Sequence, residues 1–296
     1  MGKRSDVSKA MYIETKEIFT DNLKAYSKAE WKAFLVMKES NKSQETYDTV
    51  GNLKPASEKL EGAPIDYGKI VDGHTTTVIN KTYVNGFTVS MEEKEDEKWG
   101  LVNKTKTGEL ARTMMSLREN ESANVWNGVI NRIGADGVAF ASTSHPLINT
   151  TAFTNSNLLK GAFGFDNYDL ATRSFNDWKN QYGEKFITKP SNIYLNIKNQ
   201  TDAIALISSN LKPFEESNTK NTIPQLTLTF GSYLAEKLYH FVDKTIDSAI
   251  MQKRKGLVTE YDYDKRSTFN FYFNVHERYK TAMINAGYGF LTLDSE

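Results

Sequence analysis

One stretch of helical period dominates the hydrophobic pattern of the chain, between positions 107 and 133. Apolar or small residues recur there at intervals of three or four positions or their multiples, at Ala111, Met115, Ser122, Trp126, Val129 and Ile133. This spacing places the side chains on one face of an α-helix, and Gly134 stands where such a helix would end. The pattern predicts a helix of about 26 residues, about 39 Å long at 1.5 Å per residue. We call it the spine helix; an ordinary core helix of a soluble domain would show the same pattern.

The first 46 residues are polar and contain one short helical pattern, over positions 28–37. Trp31, Phe34, Leu35 and the aliphatic stem of Lys38 would share one face of that helix. Two arrangements fit the segment. It is either an arm that packs on another molecule or an N-terminal helix that docks on its own core.

Positions 49–91 have the texture of short strands separated by turns. Asp72-Gly73 and Asn85-Gly86 are dipeptides that favour tight hairpin turns, and the residues between them are rich in β-branched side chains. After Gly86, apolar and polar residues alternate as in a strand with one buried face. The first part of this region has few large apolar side chains, and an isolated hairpin is marginally stable. We therefore expect it to lie on another surface, in the same chain or in a neighbouring copy.

The remainder of the chain predicts a mixed α+β fold. A helix is predicted over 165–182, capped by Asp166 or Asn167 and ended by Gly183. Strands are predicted at 192–197, 226–230 and 238–242, with a short helix at 201–208. Residues 260–276 alternate like an antiparallel strand pair, and its row of phenylalanines needs a cover, for which the spine helix is the natural candidate.

Composition excludes several classes of protein. The 296 residues include 37 basic and 37 acidic side chains, so the chain lacks the positive excess of a nucleic-acid-binding protein. Cysteine is absent, which excludes disulfides, thiolate metal sites and thiol catalysis and fits assembly in a cytosol. The sequence has no apolar run of about 18 residues and no signal peptide at its start, so we expect no membrane contact.

No catalytic constellation is evident. Phosphate-binding glycine loops, nucleophile elbows and zinc-protease motifs are missing, and the four histidines show no metal-ligand spacing. Ser144-His145 suggests a hydrolase, although adjacent residues rarely form a nucleophile–base pair. Glu260, Asp262 and Asp264 could hold a divalent ion, but charges on an edge strand commonly prevent unwanted pairing. The sequence therefore predicts a structural or binding protein with no cofactor and no metal.

Two short stretches resemble a known family. Residues 140–147 read Phe-Ala-Ser-Thr-Ser-His-Pro-Leu, and Ser-Asn-Leu-Leu follows at 156–159; the stretch is similar to an F-S-T-x-H-P-L segment of Mu-like major head subunits. The start of the spine, Thr-Gly-Glu-Leu-Ala-Arg at 107–112, is similar to the same group's spine. The order of elements also resembles that of tailed-phage major capsid proteins with the Hong Kong 97-type fold.

This resemblance implies four regions: an N-terminal arm (1–50), an extended β-hairpin loop (51–95), a peripheral domain with the spine helix and C-terminal strands (96–134 and 246–296), and an axial domain (135–245). It implies a virion protein that assembles in the bacterial cytoplasm into hexamers and pentamers of an icosahedral shell. That shell would enclose double-stranded DNA with non-specific contacts, with a separate scaffolding protein, a portal and possible decoration proteins as partners. The candidate subunit-interface residues are Trp31, Phe34, Lys54, Lys59, Lys69, Tyr83, Arg112 and Arg118.

Two alternatives remain open. An encapsulin-like nanocompartment shell would have the same fold and would enclose an enzyme cargo. A hydrolase would instead use the middle domain, with Ser144 and His145 in its active site.

Overall fold

The fold was taken from a computed structural model of the 296-residue chain. The residues that the structure describes are 4–26, 29–48, 56, 58–62, 64–65, 67, 73–90, 92–93, 96, 99–148, 150–212, 219–264, 270–285 and 287–295.

The described chain contains both helices and strands. The helices are α1 (Arg4–Ala25), α2 (Trp31–Phe34), α3 (Trp99–Asn127), α4 (Phe165–Ser174) and α5 (Gln200–Ser208). The strands are β1 (Val36–Glu39), β2 (Gln44–Asp48), β3 (Thr75–Ile79), β4 (Lys81–Val89), β5 (His145–Pro146), β6 (Thr154–Asn155), β7 (Leu158–Lys160), β8 (Asn192–Asn196), β9 (Thr227–Gly231), β10 (Leu238–Val242), β11 (Ala249–Tyr263), β12 (Phe271–Met283) and β13 (Phe290–Asp294). The mixed α+β class predicted from the sequence is confirmed.

The spine helix is α3, and it is shifted along the sequence relative to the prediction. It starts eight residues before position 107 and ends at Asn127, because the chain turns at Gly128, whose carbonyl accepts from the amides of Asn131 and Arg132. The predicted apolar face is buried from Ala111 to Val129. Ile133 was predicted to belong to it, but its side chain is 71% exposed, since the helix ends before that position.

A helix that the sequence analysis missed, α1, packs along the spine. Phe19 is buried, and its ring lies 6.1 Å from that of Phe273. Thr15 and Asn103, both buried, are joined by a hydrogen bond of 3.0 Å between Thr15 Oγ1 and Asn103 Oδ1. These short side chains let the two helices approach closely. Of the two predicted arrangements for the N-terminal segment, the described part docks on its own core.

The helix predicted over 28–37 is confined to the four residues of α2. The chain then becomes the edge strand β1, which pairs in parallel with β11. Residue 28 lies outside the described residues. Strand pairing takes over because Val36 and Met37 find a register against Ile250 and Met251 of the long strand β11.

A four-stranded sheet in the order β1-β11-β12-β4 lies under the spine. The predicted antiparallel pair is β11 and β12, in a register that sets Tyr263 opposite Phe271. Phe271, Phe273 and Val275 are buried against Leu110 and Met114 of the spine, as predicted, but α1 supplies the other half of the cover. Position 269, the first predicted member of the row, lies outside the described residues.

The predicted turn at Asn85-Gly86 is wrong. These residues lie inside β4, paired with Val275 and Asn274 of β12. Glycine is needed there for close approach, because a Cβ at Gly86 would overlap the Asn274 side chain and lie 2.7 Å from the Phe273 carbonyl oxygen. The chain instead passes between two sheets at buried Asn80, between β3 and β4. Asp72 of the other predicted turn lies outside the described residues.

A five-stranded sheet in the order β7-β13-β10-β8-β9 forms the core of the middle part. Its central strands β13, β10 and β8 are buried along their whole length, and the predicted bounds of β8 and β10 agree with the structure to within one residue. The last strand, β13, belongs to this sheet and pairs with β10 and β7. The final strand of the predicted 246–296 region therefore pairs with strands of the middle sheet.

The helix predicted over 165–182 is shorter, and its predicted cap is wrong. The residue at the N-cap is Gly164, and α4 ends at Ser174 before one 3₁₀ turn. Trp178 then leaves the helix because its ring nitrogen donates to the Ser156 carbonyl at 2.7 Å. The predicted buried face holds at Tyr168, Ala171, Phe175 and Trp178.

An aromatic cluster joins the two sheets. Trp126 at the end of the spine packs its ring 5.1 Å from Tyr194 and 5.7 Å from Phe290. Phe34 lies on the other side of Tyr194, also at 5.1 Å. The spine, the N-terminal segment and the middle sheet therefore share one core. Within the described chain, no helix is long and apolar enough to cross a membrane.

Candidate functional site

The aromatic interface candidates lie inside the subunit. Trp31 and Phe34 are 5% and 4% exposed, and Phe34 fills the space above Gly231, where a Cβ would lie 2.7 Å from its ring. The guanidinium of Arg118 lies over the Trp31 ring at 5.9 Å. These two aromatic side chains present little surface to a neighbouring molecule, and their place in the structure is the shared core.

Tyr83 and Arg118 tie the spine to the four-stranded sheet. Arg118 forms a bidentate ion pair with Glu277 of β12, whose side chain is 2% exposed. Tyr83 donates to Glu121 Oε2 at 3.1 Å, and Lys280 donates to the same oxygen at 3.3 Å. Burial, followed by the charge of Glu121, raises the pKa of the Tyr83 hydroxyl, so it acts as a neutral donor. This network holds the subunit's own elements together.

Arg112 and Lys59 are the interface candidates that face solvent. Arg112 pairs with Glu109 on the same helix at 3.3 Å, with both side chains more than half exposed. Lys59 is exposed in the segment before β3. Lys54 and Lys69 lie outside the described residues.

The predicted loop region presents apolar side chains to solvent near this lysine. Leu60, Ile65 and Tyr67 are 71%, 58% and 82% exposed. Further along, Ile79 of β3 and Val84 of β4 are also exposed. Apolar groups so close in sequence are typical of a surface that a partner covers, and their spacing among polar residues gave no strand or helix signal.

Strands β2 and β3 form a two-stranded ribbon that flanks this region. Buried Gln252 of β11 anchors it, accepting from the Tyr47 hydroxyl at 2.9 Å and donating to the Val78 carbonyl at 3.3 Å. Val78 packs with Ile250 and Ile284. The sequence offered no signal for Gln252, because a lone glutamine in a β pattern does not reveal whether it is buried.

His145 is the centre of a buried polar cluster. Its Nδ1 lies 2.6 Å from Asp136 Oδ2, and its Nε2 lies 2.9 Å from Asn157 Oδ1. Burial alone would raise the pKa of Asp136, but the hydrogen bond and charge of His145 outweigh it and hold that pKa below its ordinary value. Ser144 is exposed, and its backbone amide donates to Ser142 Oγ at 3.2 Å. The predicted Ser144–His145 pair is not formed, since both ring nitrogens of His145 are engaged elsewhere.

The acidic residues at 260, 262 and 264 do not converge as metal ligands would. Glu260 and Asp262 are exposed on the strand, and Glu260 lies 3.8 Å from His276 Nε2. Over the described ranges, no group of three His, Cys, Asp or Glu side chains converges where a metal ion could be held. Among the described strands, β11 pairs only with β12 at Glu260 and Asp262, since its pairing with β1 is confined to 250–253, so these carboxylates lie where β11 is locally a sheet edge.

Comparison with known proteins shows what the fold resembles. A family model described as the Mu-like prophage major head subunit gpT matches residues 8–165, more than half of the chain. A comparison with curated proteins found no match.

Solved structures with this fold include viral heads. The head of Helicobacter pylori bacteriophage KHP40 is similar at a TM-score of 0.58 with 10% identity, over 88% of this chain and 86% of that one. The capsid of cyanophage P-SCSP1u gives 0.56 with 9% identity, over 89% and 86%. The virus-like particle from Pyrococcus furiosus gives 0.52 with 12% identity, over 96% and 99%.

Proposed function

Because the chain belongs to the family of Mu-like prophage major head subunits, gpT, and is therefore a major capsid protein, we propose how it builds the icosahedral shell. Copies form hexamers and pentamers that enclose double-stranded phage DNA. A separate scaffolding protein, a portal and decoration proteins are the partners we expect at assembly. The shell is part of the virion, and assembly takes place in the bacterial cytoplasm.

The family match carries this proposal. It spans α1, the ribbon and loop, the whole spine helix and the small strands up to the start of α4, so it covers elements that lie far apart in sequence and pack together in space. The likeness to viral heads over about nine tenths of the chain supports the same fold for the rest. Neither observation depends on a single motif.

The loop region is the proposed contact with a neighbouring subunit. Leu60, Ile65 and Tyr67 expose apolar surface, and burying such surface stabilises an interface by about 25 cal/mol per Å². Contacts between unlike surfaces, repeated around five- and six-fold positions, generate closed shells. We place Lys59 and Arg112 at the periphery of such contacts, where exposed charges set orientation more than affinity.

The two alternatives are less well supported. A nanocompartment shell would share the fold, as the virus-like particle from Pyrococcus furiosus does, but the family match is to head subunits. A hydrolase would need His145 free to accept a proton from Ser144. Its Nδ1 and Nε2 instead face Asp136 and Asn157, so this pair cannot act as nucleophile and base in the described arrangement.

Electron microscopy of the purified protein tests the proposal. Negative-stain images and light-scattering mass would be recorded at increasing concentration, alone and with the scaffolding protein coexpressed. We expect shells, tubes or capsomer rings. A triple variant that replaces Leu60, Ile65 and Tyr67 by serine should stay folded and lose assembly, whereas the same replacement of Ile187, an exposed residue of the middle part, should assemble normally. Monomers under every condition would contradict the proposal.

A further inference from the structure

The His145 cluster joins segments that are distant along the chain. Asp136 lies in the turn after the spine, His145 begins β5, and Asn157 precedes β7. The Asn157 carbonyl also accepts from Thr292 N of β13 at 2.8 Å. The same small space is lined by His74 and Thr76, at the start of the ribbon strand that follows the loop. The cluster therefore lies beside the root of the loop, the short segment at 73–76 where the chain enters β3.

The orientation of the Asn157 amide is fixed from both sides. Its Oδ1 accepts from the Ser142 amide at 2.8 Å, and its Nδ2 donates to the Phe140 carbonyl at 2.8 Å. In a flipped amide, Nδ2 would face the Ser142 amide, which is also a donor, and Oδ1 would face the Phe140 carbonyl, which is also an acceptor. Oδ1 must therefore face His145 Nε2, and Nε2 must carry a proton.

The other ring nitrogen faces a carboxylate. Asp136 Oδ1 accepts from the Val138 amide at 3.3 Å, and Oδ2 lies 2.6 Å from His145 Nδ1. With Asp136 ionised, Nδ1 must also donate. Two donating ring nitrogens define an imidazolium. We propose that His145 is a buried imidazolium whose ion pair with Asp136 is a proton-dependent lock on the root of the loop.

The space around the His145 ring is small, and few titratable groups among the described residues line it. The space beside the ring is about 10 Å³, at the lower limit for one water molecule. Gly287, with a φ of +90°, lies so close that a Cβ there would be 3.2 Å from the His145 Cβ. The other titratable groups that line it are His74, whose charge further lowers the pKa of Asp136, and Tyr288, whose pKa burial raises. Among the described residues, the lining contains no lysine, arginine or glutamate.

Loss of the second ring proton would set Nε2 and Asn157 Oδ1, two acceptors, against each other at 2.9 Å. It would also leave the Asp136 carboxylate buried beside a neutral ring, which is costly. Since Asn157 cannot rotate without breaking two further hydrogen bonds, the strain is relieved by separating the segments. We therefore expect a rise in pH to loosen the loop root. The consequence for shell contacts rests on the proposed function; the lock itself does not.

Histidine-selective ¹⁵N NMR over a pH series tests the lock in the isolated subunit. The chain has four histidines, and His145→Gln assigns the signals of the cluster. We expect His145 to lose its second ring proton in one step, with a simultaneous rise in amide hydrogen exchange over residues 73–79. Asp136→Asn should reduce the population of the doubly protonated ring, since the carboxylate that pairs with Nδ1 is gone. Asp166→Asn, which alters an exposed carboxylate, should leave the step unchanged.

Several outcomes would overturn the lock. A single ring proton on His145 at every pH would show that the imidazolium does not form, and equal titrations in the two aspartate variants would exclude the ion pair. Exchange at 73–79 that is independent of the His145 step would separate the cluster from the loop. If Asp136→Asn does not fold, the wild-type pH series and exchange decide alone. Because subunits are measured, the result stands whether or not shells form.

Discussion

The buried histidine His240 should make the subunit less stable as the pH falls. It lies on β10 with its ring 5.2 Å from that of Trp126, and its Nδ1 is 3.0 Å from the Thr292 hydroxyl. The side chain is fully buried, and Nε2 has no hydrogen-bond partner in the part of the chain that the structure describes. Burial lowers the pKa of His240 from 6.5 to about 3, because a charged imidazolium would lose its hydration there.

The sign and size of the effect follow from proton binding. Above the ordinary pKa, His240 is neutral in the folded and the unfolded chain and contributes no pH dependence. Below it, the unfolded chain binds a proton that the folded chain excludes, so the free energy of unfolding falls by about 1.4 kcal/mol per pH unit. The loss is about 2 kcal/mol at pH 5 and about 4 kcal/mol at pH 3, where the folded chain also begins to bind the proton.

Urea unfolding at pH 7, 6 and 5 measures this contribution in wild type and His240→Gln. The variant loses stability at pH 7, because the ring leaves a gap beside Trp126, but it should lose about 2 kcal/mol less than wild type between pH 7 and 5. We compare the pH dependence of the two proteins because Glu119 contributes equally to both and in the opposite direction. Burial, followed by the charge of Glu30, raises the pKa of Glu119, so its contribution to stability increases as the pH falls. His276→Gln, at a partly exposed site, is the matched control. Equal pH slopes in wild type and His240→Gln would refute the reasoning.

Three further substitutions test the spine and the four-stranded sheet beneath it. Arg118→Ala should cost about 3 kcal/mol in urea unfolding, because it leaves Glu277 buried and unpaired, whereas Arg112→Ala at an exposed pair should leave the midpoint almost unchanged. Gly86→Ala should lower the free energy of unfolding by about 2 kcal/mol, since the added methyl group overlaps β12. An unchanged free energy of unfolding in this variant would contradict the close approach of the two strands. Gly108→Ala should raise the thermal midpoint by the equivalent of up to about 1 kcal/mol, because the residue lies inside the spine with its nearest contact at 3.8 Å.

Elements with a strong internal period were predictable from the sequence. The buried face of the spine and the β11–β12 pair were assigned from periodicity, because burial on one face imposes that period directly. The strands β8 and β10, which are buried along their whole length, were assigned as short runs. Helix α1 was missed for the opposite reason. Its apolar contacts are few, with Phe19 the most deeply buried, and the surrounding polar residues concealed the period.

The predicted turn at Asn85-Gly86 was wrong because the glycine is required by a neighbouring strand and not by a turn. Asn85-Gly86 has the composition of a hairpin turn, yet Gly86 is required because β12 approaches it closely. The same limitation applies to Arg118 and Tyr83. Both were candidate subunit-interface residues, but each contacts its own subunit, and Glu277, the residue that pairs with Arg118, lies 159 positions away.

The sequence alone determined the fold class, the long helix around which the subunit is built and, through a dozen residues of resemblance, the family. Those features depend on local periodicity and on short contiguous segments, which a linear chain displays directly. Only the tertiary structure decided which polar residues are buried and which strand closes which sheet. The Asp136–His145–Asn157 cluster and the return of β13 to the middle sheet depend on contacts between distant segments, and the free energy of such contacts is set by packing that no single stretch of sequence contains.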